Sequence, residues 1–441
     1  MNFLNNSLIK LIFSNHLLKI ISGGVNFGII ALIANLTNSE VLGEFTTIYA
    51  IIILISGLAF WGFADGFVIL KSKFGLKELT MNCLLVCGIN IFLAFIFVFT
   101  VFFKFKSSTK LLICLIVCSV ILHNLVSSIL RVIKNYNSSI YFSSIQVNFI
   151  FCVILFINNL LNFNLNIYTI LISYLLSHVI SLICVFCYLF SIKIQNHFDS
   201  DEKTVSSSTI IFLYKHNTPL VISDVLNNFI GTLDILILNK FLSFSEIANY
   251  KVATAFGKLI KVSLSSFSNF MLPELSKMIK EKSGDVFLYI KNNYKYIFII
   301  ALVMTLSVSF FGELLIELLF GDEYEIAYPL LLMLLIGYSF NNFSGPNGTI
   351  LLSLGKLKDL LKIDILTNFI GVFLLYILTW KYAIWGSVIA NVLLVVIYNL
   401  MKNRKLRVLM PEYNSIVKRI YFAWGVTILL IVIMFISVDY V

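Results

Sequence analysis

Leu36-Thr37-Asn38-Ser39-Glu40-Val41 and Leu242-Ser243-Phe244-Ser245-Glu246-Ile247 share one pattern, L-x-x-S-E-[VI], 206 residues apart. Each copy stands at the start of a long apolar run, the second run in one case and the eighth in the other. Six crossings lie between them. An even number returns the chain to the same side, so both halves traverse a bilayer in the same sense. The pattern predicts a parallel repeat about an axis along the membrane normal, with a path between the halves.

Composition makes the bilayer the expected solvent. The 441 residues are 59% hydrophobic and 12% charged, with mean hydropathy +0.97. Soluble domains average about 25% charged residues, so a soluble domain is excluded. At about 20 residues per helical crossing, apolar runs place thirteen spans at 14–36, 43–63, 80–103, 110–131, 140–162, 167–190, 217–239, 249–271, 293–319, 327–353, 360–380, 384–402 and 419–438. The first run is too long for a cleavable signal and no small-residue cleavage site follows it. The fold class expected is an all-α polytopic membrane protein. It has an N-terminal lobe (1–203), a C-terminal lobe (204–403), and a basic linker with a thirteenth span (404–441).

Basic residues orient the chain. With the N-terminus in the cytoplasm, 23 of the 32 Lys and Arg fall on the cytoplasmic side, five outside and four within helices. That bias satisfies the positive-inside rule. Lys104, Lys106 and Lys110 are the exception. The net charge of +10 therefore reflects cytoplasmic loops and not nucleic-acid binding. All seven cysteines lie in apolar runs, and Cys184-x-x-Cys187 lacks a polar turn, so neither redox chemistry nor metal binding is expected.

Ionisable residues inside spans are costly and face cavities or partners. On the eighth span Lys251, Thr254, Lys258, Lys261, Ser265, Ser268 and Asn269 share an arc of about 100°, opposite Val252, Phe256, Ile260, Leu264 and Phe267. A cationic, hydroxylated front suits an anionic substrate. The same lysines could pair with Asp224 and Asp234, which share a face of span seven with Asn227 and Gly231. A cavity wall and a structural ion-pair seam both stay open. Lys19 in span one and Arg131 at the end of span four are further cationic candidates, each with an interfacial-anchor alternative. His123 and His178 are solitary in sequence and read as packing residues. Pro346, in Phe343-Ser344-Gly345-Pro346-Asn347-Gly348, is placed to break span ten. No Walker A, H-E-x-x-H or G-x-S-x-G motif is present, so neither catalysis nor self-contained ATP-driven pumping is expected.

Leu36–Phe45, L-T-N-S-E-V-L-G-E-F, resembles the first outer loop of the polysaccharide-transport flippases. Further matches follow in order: Pro219 and Asp234; Tyr250 and Ala253 with Lys258, closed by Pro273; Leu319-Phe320-Gly321-Asp322-Glu323-Tyr324 with Ala327; Gly355-Lys356; and Trp385-Gly386-Ser387-Val388-Ile389-Ala390. Across 14–403 the chain is similar to the Wzx-type O-antigen and capsule flippases, in the superfamily of multidrug and toxin extruders and lipid II flippases. The resemblance implies two six-helix bundles with a central, alternately open cavity. It implies transport of undecaprenyl-pyrophosphate-linked oligosaccharide from the cytoplasmic to the periplasmic leaflet of a bacterial inner membrane. No cofactor is implied beyond a proton or sodium gradient; the partners implied are membrane lipids, a polymerase and other polysaccharide assembly proteins. The thirteenth span departs from the usual twelve. A multidrug exporter, a lipid II flippase and a non-transporting assembly scaffold are the alternatives.

Overall fold

The computed structural model describes residues 6–63, 76–101, 106–133, 135–191, 214, 217–218, 232–281 and 285–437. In order these form α1 (Asn6–Leu36), α2 (Ser39–Phe60), α3 (Leu76–Val101), α4 (Ser107–Val132), α5 (Tyr136–Ile140), a π-helical turn (Tyr141–Gln146) and α6 (Val147–Leu160). There follow α7 (Ile167–Ser191), α8 (232–241), α9 (Phe244–Glu281), α10 (Val286–Phe320), α11 (Ala327–Ser344), α12 (Asn347–Ser353), α13 (Leu357–Leu409) and α14 (Asn414–Ser437). No strand occurs among the described residues.

Eight described helices are long and apolar enough to cross a membrane, Pro411–Ile436 among them. Local features reconcile this with thirteen expected spans. The 53-residue α13 is too long for one crossing. Tyr382 and Ala383 leave helical geometry inside it, Ala383 at φ 49°, and divide it into the two expected spans. The first run contributes a shorter apolar segment, Ile21–Leu36. Lys251, Lys258 and Lys261 interrupt the apolar run of α9. The tenth span is broken as expected: α11 ends at Ser344, Gly345 takes φ 63°, and α12 starts after Pro346. Most of 217–239 lies outside the described residues. One expectation fails. α9 runs through Pro273 to Glu281, because proline removes only one ladder bond and a long helix absorbs it.

The chain divides into two compact units, Met1–Thr37 with Glu44–Thr232, and Asn38–Gly43 with Leu233–Val441. In the first, α4 and α6 pack on α7. Phe45, Tyr49, Phe151 and Tyr174 form an aromatic cluster with ring centroids 5.1–6.3 Å apart. α2 ends at Trp61-Gly62, where Asn90 Nδ2 donates to the freed Ala59 carbonyl at 3.0 Å.

In the second unit α11 is the central helix. Leu330, Leu331, Leu332, Leu334 and Leu335 spread over about 200° of its circumference and all are fully buried. α9, α10, α13 and α14 pack against it. Gly257 lets α9 close on α11, since a Cβ there would overlap the Tyr338 ring. The two repeat copies meet in this unit, Ser39 Oγ lying 3.0 Å from Ser245 Oγ. Their helices start differently. Ser243 and Glu246 cap α9 reciprocally, a capping box. α2 starts one repeat position later, capped by Asn38 Oδ1 on Val41 N, while Glu323 accepts from Ser39 N at 2.7 Å.

The broken tenth span is repaired by side chains. Tyr294 OH donates to Ser344 O at 2.5 Å and lies 2.6 Å from Tyr413 OH. Asn347 Nδ2 donates to Asn399 Oδ1 at 2.9 Å, and Asn403 Nδ2 to Ser344 Oγ at 3.3 Å. Tyr294→Phe strands a buried carbonyl and costs about 1–3 kcal/mol. The expected result is a lower unfolding midpoint in detergent, with the exposed Tyr296→Phe unchanged.

Candidate functional site

Each unit holds a polar cluster, and the two differ in charge. In the first unit a pocket of about 250 Å³ opens among α1, α2, α4, the π turn, α6 and α7. Asn26, Tyr49, Asn124, Ser143, Asn148 and Tyr174 are on its walls, with His123 and His178. The π turn rotates the helix between Ser143 and Asn148 and lets both reach the same pocket. Asn148 Nδ2 donates to Asn26 Oδ1 at 2.9 Å. No lining residue carries a fixed charge.

The histidines, 55 residues apart in sequence, form a pair. Their Nδ1 atoms are 3.3 Å apart and their rings are edge-on at 5.0 Å. His123 Nδ1 is also 3.2 Å from Ser119 O. A carbonyl only accepts, so the hydrogen sits on His123 Nδ1, which leaves His178 Nδ1 an acceptor. His123 Nε2 is then a free acceptor and His178 Nε2 a free donor, and neither has a partner among the described residues. Tyr174 stacks edge-on to His178 at 4.8 Å. Sequence spacing gave no sign of this pairing, which needs α4 and α7 packed together.

In the second unit the cluster is charged. Tyr250, fully buried on α9, donates to Asp234 Oδ2 at 3.3 Å and accepts from Asn391 Nδ2 of α13 at 3.2 Å. Asp234 also interacts electrostatically with Lys258 and Lys251. Lys258 is exposed and Lys251 half-buried, while Val252, Phe256 and Ile260 on the opposite face are buried. The described side chains follow the expected two faces only in part, since Thr254 of the polar face is buried and Leu264 of the apolar face is half-buried. Neither lysine is ion-paired with Asp234. Asp224 lies outside the described residues, as do the side chains of Lys19 and Lys261. Arg131 is half-buried at the end of α4, donates to Ser128 Oγ at 3.2 Å, and does not line the pocket of its unit. No group of three or more metal-ligating side chains occurs among the described residues.

Residues 163–329 match a family described as "Polysaccharide biosynthesis protein". No curated protein matches the sequence. Solved structures match over nearly the whole chain. A lipid II flippase, MurJ, in an inward closed conformation gives a TM-score of 0.71 at 14% identity, covering 96% of this chain and 97% of that one. An inward-facing multidrug resistance MATE family transporter of the MOP superfamily gives 0.65 at 14%, covering 89% and 95%. A MOP superfamily transporter from Pyrococcus furiosus gives 0.60 at 15%, covering 89% and 95%. The chain thus has the all-helical fold of these membrane transporters.

Asp234 and Tyr250 are expected to act as one unit. Removing the carboxylate leaves the tyrosine hydroxyl without its acceptor and two ammonium groups uncompensated. A double-mutant cycle of Asp234→Ala and Tyr250→Phe, read from denaturant unfolding in detergent, should give a coupling of about 0.5–3 kcal/mol.

Proposed function

We propose that this protein is a flippase for a lipid-linked oligosaccharide carried on undecaprenyl pyrophosphate, moving it from the cytoplasmic to the periplasmic leaflet of a bacterial inner membrane. The observation that carries this reading is the face of α9. Among the described residues Lys251 and Lys258 set two ammonium groups within electrostatic range of one carboxylate, Asp234, and that surplus favours an anion. Ammonium groups replace the water lost by a pyrophosphate entering the protein. The first unit supplies complementary chemistry. Its uncharged pocket of amides, hydroxyls and aromatic rings, with one open donor and one open acceptor, suits sugar hydroxyls and the apolar faces of pyranose rings. The polysaccharide-biosynthesis match over 163–329 and the likeness to a lipid II flippase support the same class of cargo.

Transport by alternating access needs no covalent step on the protein, so the reading assigns no catalytic residue. Coupling to a proton or sodium gradient belongs to the proposal. Asp234 and the His123–His178 pair are the residues on which it would act. Partners in this reading are the lipid-linked cargo, membrane lipids and the polymerase that extends the glycan.

Asp234 sustains a second reading, a multidrug exporter, because a carboxylate in a transporter interior can hold a cationic drug or a coupling ion. Variants separate the two. Lys251→Gln with Lys258→Gln should abolish complementation of a strain lacking its own flippase, with the protein still inserted. The corresponding Lys→Arg pair should retain it. Unchanged surface polysaccharide in the Gln variant contradicts the cationic path, and increased drug sensitivity on deletion supports the exporter.

A further inference from the structure

At the outer surface of the second unit, α10 and α14 enclose a groove of about 650 Å³. Its walls are Phe298, Ile299 and Leu302 on one side and Phe422, Ala423 and Val426 on the other. Ile299, Phe422 and Val426 are exposed, so the groove opens sideways, where a membrane protein meets hydrocarbon and not water. Four cations stand together at one end, Lys291 and Lys295 on α10, Lys418 and Arg419 on α14. All four are exposed, and none is ion-paired with a carboxylate among the described residues. The floor is fixed: Tyr294 and Ile416 line it, and the Tyr294 hydroxyl is tied to Tyr413 and to Ser344 O. The cavity therefore does not depend on a mobile side chain at its base.

We infer that this groove binds an anionic glycerophospholipid, with an acyl chain between α10 and α14 and its phosphates on Lys291, Lys295, Lys418 and Arg419. Three physical points select that occupant. An apolar wall at membrane depth is wetted by lipid chains. Clustered Lys and Arg where helices emerge on the basic side bind phosphate headgroups. Four cations without a carboxylate repel the ammonium of a zwitterionic headgroup and match two phosphates better than one, which favours cardiolipin. The lateral opening draws the occupant from the surrounding bilayer. The inference is independent of which cargo the protein moves, and it gives the thirteenth span a role as one wall of the lipid site.

Native mass spectrometry of the purified, delipidated full-length protein tests it. Cardiolipin, phosphatidylethanolamine, undecaprenyl phosphate and inorganic phosphate are titrated separately. Cardiolipin should bind about tenfold or more tighter than phosphatidylethanolamine. Lys291→Gln with Lys295→Gln and Arg419→Gln should erase that preference. These positions are exposed, so the variant is expected to fold. Val426→Trp, which fills the groove and leaves every charge in place, should weaken cardiolipin binding. Equal affinity for the two phospholipids overturns the inference. Displacement of cardiolipin by an equal concentration of undecaprenyl phosphate overturns it in favour of a carrier site. Displacement by millimolar inorganic phosphate shows that the headgroup cluster alone binds, and rejects the groove.

Discussion

The hydrogen bond from Tyr294 OH to the Ser344 carbonyl meets the constraint on which the structure depends. In hydrocarbon a backbone group without a partner costs several kcal/mol, so a spanning chain is helical unless something repairs each break. Gly345-Pro346 ends the central helix of the second unit at its most buried level. Tyr294 closes the opened backbone at the Ser344 carbonyl, and Tyr413 with the asparagines of α12 and α13 ties the surrounding side chains together. The break at Trp61-Gly62 is treated the same way by Asn90. Such breaks draw polar side chains into an apolar interior, and they account for the burial of Asn90, Asn347, Asn399 and Asn403.

The same constraint governs charge. The first unit lines its interior pocket with amides, hydroxyls and imidazoles, Asn148 bonded to Asn26 and His178 in contact with His123. The second unit admits ammonium groups, but within electrostatic range of Asp234 and on a helix that buries Val252, Phe256 and Ile260 on its other face. α11 makes that arrangement stable. Its leucine-covered surface holds α9 firmly through Gly257 and Tyr338, and so fixes which face of α9 stays open. The lysines are held by packing on the opposite side of their helix.

The element order and most spans could be read from hydropathy because lipid demands long uninterrupted apolar runs. Pro346 disclosed a helix break for the same reason: proline and a positive-φ glycine have few other uses in a buried helix. The repeat at Ser39 and Ser245 was visible as a six-residue pattern with three identical residues, but its meaning was not, since the hydrogen bond between the two serines depends on packing. The histidine pair was hidden for that reason too. Residues on α4 and α7 share no spacing rule, and the π turn that opens their pocket leaves no signature in Tyr141–Gln146. Pro273 misled, because a proline that stops a short helix merely bends a long one. Most of span seven, with Asp224, lies outside the described residues, and Asp234 is the acid of that span that is described.

The central claim is that cationic residues on α9 carry an anionic lipid-linked glycan between leaflets. The most direct measurement is a transport assay in proteoliposomes containing only this protein and a fluorescent undecaprenyl-pyrophosphate-linked oligosaccharide, with lectin accessibility on the outer leaflet read over time. The account predicts protein-dependent equilibration of the label, slowed to the protein-free rate when Lys251 and Lys258 are neutralised and retained when both are arginine. Equilibration that is indifferent to those charges, or none with the correctly inserted protein under an imposed proton or sodium gradient, contradicts it.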